Sequence, residues 1–482
     1  MPFAVIERQA RRRGTRKNEL AAREFHIYDP SNRLQYSFYV TWGAVMNTVI
    51  SILRKCVIPC AFALAFFAST GSVDASGFKV LYSFCPRSTC RDGASPGSAL
   101  IADGQGNLYG TTTQGGNIYD GTYQGTVFKL APDGSESVLV AFCTKKNCND
   151  GESPVAGLIM DNQGNLYGTT PMGGLQSCPP SGCGIVFKIA PNGQESVLYK
   201  FCSGVNCIDG SAPEAGLVED AQGNLYGTTA VGGLMRCGDY DGCGTVFKLA
   251  PDGTETVLYN FCSKAGCSDG AMPLSGLIFD SQGNLYGTTS SGGTNGAVGC
   301  NSYGCGTVFK LAPDGTETVL HTFCSQLNCS DGYSPLAGLV ADDRGNLYGT
   351  TEFGGAISTD TGTAGGGMVF KIAPDGTETV LYDFCSKVNC SDGLSPVAGL
   401  IRDSRGNLYG TTPGFGGDFP SGGNVFKLAP DGTETVLRQF CNSCRDGDEP
   451  SAGLMADGEG NLYGTTSGGG KYGYGIVFTL KP

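Results

Sequence analysis

The chain has 482 residues, a formal net charge of −12, 77 glycines and 22 cysteines, but only two histidines. That acidity argues against nucleic acid or an anionic membrane surface as a partner, and the glycine content with recurrent Val, Tyr, Phe and Thr argues against a helical fold. Charge is unevenly spread: residues 1–75 hold 10 Lys/Arg and 5 Asp/Glu, leaving 22 basic and 39 acidic residues in 76–482.

Residues 1–45, with the basic run Arg11-Arg12-Arg13, match nothing downstream. They are expected to be an extended, disordered N-terminus, or sequence upstream of the true start at Met46. Residues 46–75 follow signal-peptide order: Arg54 and Lys55, an apolar run over 56–67, then Val73-Asp74-Ala75. The run is short for a membrane span and contains Pro59. Cleavage after Ala75, no stable membrane anchor and a secreted or periplasmic location are therefore expected.

From residue 76 onward the chain is a tandem array. The heptapeptide Gly-Asn-Leu-Tyr-Gly-Thr-Thr begins at Gly106, Gly164, Gly223, Gly283, Gly345, Gly406 and Gly460, at intervals of 54 to 62 residues. Such a period marks one repeated supersecondary unit. Each unit reads as four strands, for example 215–220, 223–229, 244–250 and 254–262. Asp220 to Asn224 and Ala250 to Thr254 carry hairpin chemistry, with Gly where φ must be positive.

The third and fourth strands are apolar at adjacent positions, as expected for a sheet covered on both faces. Stacked four-stranded sheets form an all-β, seven-bladed propeller. The seventh unit stops at its third strand, and residues 79–85 match the fourth-strand pattern, so the N-terminal strand is expected to complete the last blade. The repeated GNLYGTT, VFKLAPDGTETVLY and DGxxPxAGLI motifs resemble the GloVer tandem-repeat family of exported bacterial proteins, over essentially all of residues 78–482. The resemblance implies an exported array without an established activity.

Two cysteines, Cys56 and Cys60, lie in the signal segment and twenty fall into close pairs. Seven follow a fourth strand: Cys85/Cys90, Cys143/Cys148, Cys202/Cys207, Cys262/Cys267, Cys324/Cys329, Cys385/Cys390 and Cys441/Cys444. Three precede a third strand: Cys178/Cys183, Cys237/Cys243 and Cys300/Cys305. Even number, local pairing and an export signal read as ten disulfides. Zinc would need converging free ligands, usually with histidine, and residues 76–482 hold only His321, at a position where sibling repeats have Tyr.

Catalytic motifs are weak. Gly93-Ala94-Ser95-Pro96-Gly97 matches a hydrolase pattern but is one copy of a repeated turn, and residues 468–473 match a dinucleotide pattern without the helix it requires. No catalytic residue and no organic cofactor is expected. Asp92, Asp150, Asp209, Asp269, Asp331, Asp392 and Asp446 each precede glycine, once per blade. Turn formation is the plain account, and a carboxylate ring holding calcium is the alternative.

The connection between second and third strands varies most, whereas the other two hairpins hardly vary. It opens on the same face as the Cys-bearing loops, so that face is the expected binding surface. It offers Tyr119, Tyr123, Tyr240, Tyr303, Phe353, Phe415, Phe419, Tyr472 and Tyr474, with Asp239 and Asp241 as polar partners. Aromatics beside carboxylates suit a glycan or protein ligand. The expectation is a monomeric binding module, with a propeller lyase or glycoside-acting enzyme and a structural envelope component as the alternatives.

Overall fold

The computed structural model describes residues 5–7, 23–29, 34–40, 77–86, 89–116, 118–119, 122–178, 182–233, 242–293, 304–355, 365–414, 422–441 and 445–482. The chain divides into two compact units, Met1–Gly71 and Ser72–Pro482. In the first, Val5–Glu7, Arg23–Asp29 and Leu34–Val40 form an antiparallel sheet, with Phe25 opposite Phe38 and Ile27 opposite Tyr36. The rest of the expected disordered N-terminus, residues 1–45, lies outside the described residues. The expected signal segment, apart from its surroundings, lies outside the described residues.

The second unit is a propeller of seven antiparallel blades. Blade 3 is typical, with strands Val218–Glu219, Leu225–Thr229, Thr245–Leu249 and Glu255–Asn260. Its first hairpin is fixed by Asp220. One carboxylate oxygen accepts the backbone N–H groups of Gln222 and Asn224, and the other accepts the Asn224 amide at 2.7 Å and the Tyr226 hydroxyl at 2.9 Å. The Lys248 ammonium lies 5.6 Å from the Tyr226 ring centroid. Gly223 follows at φ +80°, where a side chain is disfavoured. The first strand is shorter than expected because this turn begins directly after Glu219.

Pairing of the third and fourth strands shifts register between Val246 and Phe247, so Leu258 is an extra residue in a β-bulge. The same shift recurs in every blade. Broken alternation in the fourth strand therefore has a second cause besides two-sided burial.

Three contacts recur between neighbouring blades. The Phe ending each fourth strand packs edge-on or tilted against the third-strand Phe of the next blade: Phe201 on Phe247 and Phe261 on Phe309, both with centroids 5.0 Å apart. The first threonine after Tyr-Gly donates its hydroxyl to a next-blade carbonyl, as Thr169 to Ala215 at 2.9 Å and Thr228 to Ser275 at 3.1 Å. A proline seats on a bare glycine: a Cβ on Gly184 would meet Pro213 at 2.5 Å. Innermost, a Cβ on Gly216 or Gly276 would stand 3.5 Å from the carbonyl of the preceding blade's glycine, so this ring is lined by backbone except at blade 1, where Ala99 adds a methyl group.

The ring closes as expected. Lys79–Ser83 is the fourth strand of blade 7, pairing Ile476 with Ser83, Val477 with Tyr82 and Phe478 with Val80. All three contacts cross this seam: Phe84 meets Phe128 at 5.1 Å, Thr465 donates to Ser98 at 3.3 Å, and Pro96 covers Gly475. Burying and then deleting an aromatic side chain costs about 3–5 kcal/mol. Phe84→Ala is expected to lower the thermal midpoint as much as Phe261→Ala does; no loss at Phe84 alone would mean an open seam.

Candidate functional site

The Cys-bearing loops and the connections between second and third strands share one face, and backbone bonds tie them. Gly174, Gly233 and Gly293 donate to the carbonyls of Cys148, Cys207 and Cys267 at 2.8–2.9 Å. Cys85–Cys90, Cys143–Cys148, Cys178–Cys183, Cys202–Cys207, Cys262–Cys267, Cys324–Cys329 and Cys385–Cys390 are disulfides. Cys243, Cys305 and Cys441 are disulfide-bonded too, and their expected partners Cys237, Cys300 and Cys444 lie outside the described residues. Four sulfurs converge at Cys178, Cys183, Cys202 and Cys207, but as two disulfides they leave no thiolate for a metal.

Six of the seven loops hold left-handed backbone at both cysteines, with Cys262 at φ 59° and Cys267 at φ 52°. Free chain would oppose this by about 1–2 kcal/mol per residue. The Asp-Gly aspartate counters it from inside. Asp269 accepts the Ser263 backbone N–H and hydroxyl, both at 2.8 Å, the Lys264 N–H at 3.3 Å and the Tyr259 hydroxyl at 2.9 Å. Asp92, Asp150, Asp209, Asp331, Asp392 and Asp446 likewise bond within their own loops or to the adjoining strand. None joins a cluster of metal-ligating groups among the described residues. The seven serve seven separate turns, and the calcium ring is not assembled here.

The strand residue reaching six of the seven aspartates changes between blades. Tyr82, Tyr199, Tyr259 and Tyr382 donate a hydroxyl, His321 lies 3.8 Å from Asp331, and Arg438 pairs with Asp446. His321 is thus a strand residue against a structural carboxylate, its pKa lowered by burial despite Asp331. Across the blade boundary stands a glutamate from the next fourth strand. Lys264 bridges to Glu317 and Lys387 to Glu434, each at 2.6 Å. At the boundary between blades 6 and 7 the pattern is replaced: Phe78 occupies the glutamate position, and the Arg438 guanidinium lies 4.2 Å from its ring centroid.

Where no lysine reaches it, the glutamate is held protonated more readily. Glu136, Glu255 and Glu378 are pushed up to about 7, first by burial and then by Asp92, Asp209 and Asp331 respectively. The folded protein therefore takes up protons between the ordinary value of 4.5 and about 7, and stability falls as pH rises through that window. His321 pulls the opposite way, whereas burial also raises Glu152, Glu214, Glu219, Glu317, Glu352 and Glu434 in the same sense as these three. The thermal midpoint is expected to be higher at pH 5 than at pH 7.5, with a smaller difference in a Glu136→Gln, Glu255→Gln, Glu378→Gln triple variant. An equal difference in the variant would place the effect elsewhere.

The expected binding aromatics are unevenly placed. Tyr119 and Tyr123 lie on a short hairpin, Ile118–Tyr119 paired with Thr122–Tyr123. Phe353 is half-buried, its ring 5.3 Å from that of Tyr333. Tyr472 and Tyr474 are 37 % and 46 % exposed, and the Lys471 ammonium sits 5.0 Å from the Tyr472 ring centroid. Asp239, Tyr240, Asp241, Tyr303, Phe415 and Phe419 lie outside the described residues.

The sequence reading missed the aliphatic part of this face. Val205, Leu327 and Val388 stand at equivalent positions in three Cys loops and are 80 %, 85 % and 69 % exposed. Reading down that column of the repeats would have found them.

Two solved structures are similar at low identity. A luciferin-regenerating enzyme matches at 13 % identity and TM-score 0.38, over 68 % of this chain and 90 % of its own. PorZ, a surface component of the type-IX secretion system of Porphyromonas gingivalis, matches at 13 % identity and TM-score 0.44, over 80 % of this chain and 46 % of its own. The chain thus spans about half the length of PorZ, and neither likeness carries a functional argument. No curated protein matches. The model of the Gloeobacter/Verrucomicrobia repeat matches three times, over residues 69–239, 123–361 and 298–482. The chain therefore belongs to the Gloeobacter/Verrucomicrobia repeat family.

Proposed function

We propose that this propeller is an exported binding module that receives a partner on its Cys-loop face. The supporting observation is the placement of exposed large apolar side chains. Met172, Val205, Ile208, Leu327, Val388, Tyr472 and Tyr474 are those among the described residues, and all seven lie in Cys loops or in connections between second and third strands. Scattered apolar residues are ordinary on a protein surface, but confinement to one face marks an interaction surface. Seven disulfides among the described residues fit an oxidising compartment. No described helix is long and apolar enough to cross a membrane.

Branched aliphatic side chains pack against other proteins and give a sugar no stacking plane, so the Cys-loop residues favour a protein partner. The Lys471, Tyr472 and Tyr474 corner favours a glycan, since exposed rings beside a cation can stack on a sugar and bind its oxygens.

Two surface variants test these readings. Val205→Ser, Leu327→Ser, Val388→Ser should abolish capture of exported proteins by the immobilised chain, and Tyr472→Ala, Tyr474→Ala should weaken any glycan identified by thermal shift at least about tenfold, or 1.4 kcal/mol. Surface changes of this kind ordinarily alter stability by no more than about 0.5 kcal/mol. Binding unchanged in both variants would overturn the proposal.

A further inference from the structure

The opposite face, formed by the uniform hairpins, carries a second feature. Between blades 5 and 6 these hairpins wall a cleft of about 470 Å³. Four cations, Arg344, Lys371, Arg402 and Arg405, line it against two carboxylates, Asp342 and Asp343. That is a local positive excess in a chain of net charge −12.

The fold does not require these arginines. The position of Arg344 is Gln105, Gln163, Gln222 and Gln282 in blades 1 to 4, and that of Arg402 is Ala102, Met160, Glu219, Phe279, Ala341 and Ala456 in the other six. What the turn needs from this position is the backbone: Arg344 N–H donates to Asp342 at 3.0 Å, as Gln222 N–H donates to Asp220 at 2.9 Å. Phe279, the blade-4 counterpart of Arg402, makes an edge contact with Tyr226 at 5.1 Å. At the equivalent boundary both Arg344 and Arg402 act on Tyr348, opposing the rise in its pKa that burial and Asp342 cause.

None of Arg344, Arg402 and Arg405 makes an ion pair among the described residues. In blades 1 to 4 and blade 6 the corresponding lysine lies over the tyrosine ring at 5.4–5.9 Å. In blade 5, Lys371 lines the cleft.

Guanidinium groups bind planar or tetrahedral oxyanions through paired N–H donors. The cleft is larger than a lone inorganic anion needs, and exposed Asp343 supplies an acceptor for hydroxyl donors. Cations together with an acceptor match a polyhydroxylated anion. We propose that the cleft between blades 5 and 6 binds an acidic sugar, through a carboxylate or sulfate held by Arg344, Arg402 and Arg405. This site is separate from the Cys-loop face and does not depend on the reading of that face.

Isothermal titration of the full chain with a trigalacturonate, a sulfated galactotriose and neutral galactotriose tests it. One acidic trisaccharide should bind, the neutral one should not, and which acidic one binds identifies the anion. Arg344→Gln and Arg402→Ala install residues that sibling repeats already carry, so both variants are expected to fold. Each should weaken binding at least about tenfold, and higher salt should weaken it further. Arg91→Gln, in a Cys loop, and Tyr472→Ala should leave it unchanged. Failure of both acidic sugars to bind, equal binding of the neutral sugar, or binding unaltered in both arginine variants would overturn the proposal.

Discussion

Everything in the propeller rests on one buried hydrogen bond repeated around a circle. A threonine hydroxyl in each second strand donates to a backbone carbonyl in the next blade, from Thr111 to Ala156 through to Thr465 and Ser98. A buried carbonyl without a partner costs about 1–3 kcal/mol, so a blade moved out of step would forfeit this bond at both its edges. The bond fixes the angle between blades and brings the Phe pairs within 5.0–5.4 Å of each other. The glycine preceding that threonine follows from the same crowding. A Cβ on Gly227 would stand 2.7 Å from the Phe247 ring and 2.9 Å from Leu217. Tyr-Gly-Thr is therefore one device, with a tether to the hairpin, a space for the ring and a bond to the neighbour.

Rigidity on that scale leaves sequence freedom at the two ends of the blades, and the two faces use it differently. On the Cys-loop face, disulfides and buried aspartates fix short left-handed loops from which Val205, Leu327 and Val388 project. Structural carboxylates do the holding, so the repeated acids are spent on the scaffold. On the hairpin face, the Asp-Asn-Tyr network uses main chain and one carboxylate, so the residue after the turn aspartate's neighbour is left to vary.

Blade number, strand order and ring closure were legible because a repeat reports the same physics seven times over. A fourth-strand pattern at residues 79–85 has no other place to go once the seventh unit lacks one. Pooling the repeats also hid things. The Asp-Gly column looked like a ring of equivalent carboxylates, but hydrogen-bond partners such as Ser263 and Tyr259 lie in register around each one and consume it. The bond from Tyr226 was not legible, because a hydroxyl reaching an aspartate six positions back leaves no mark on hydrophobic periodicity. The hairpins looked uniform because their backbone pattern is uniform, although Gln gives way to Arg in blades 5 and 6. Bulges at Leu258 and its equivalents were unreadable, since an extra apolar residue in a two-sided sheet resembles its neighbours.

The pairing of residues 79–83 with blade 7 has a consequence for how such a ring can change. Six boundaries and the seam share the same aromatic pair, hydroxyl bond and proline-on-glycine contact, so the interfaces carry almost no information about which blade is which. A ring built this way can be rotated in its gene, with the break moved to another boundary, and still assemble the same object. The present break leaves its mark at the boundary between blades 6 and 7, where Phe78 stands in for the glutamate used at other boundaries and Arg438 takes the position held by tyrosine in four blades. Identity along the circle is written almost entirely in the loops and in a few hairpin side chains, which lets those segments diverge sector by sector while the frame beneath them stays the same.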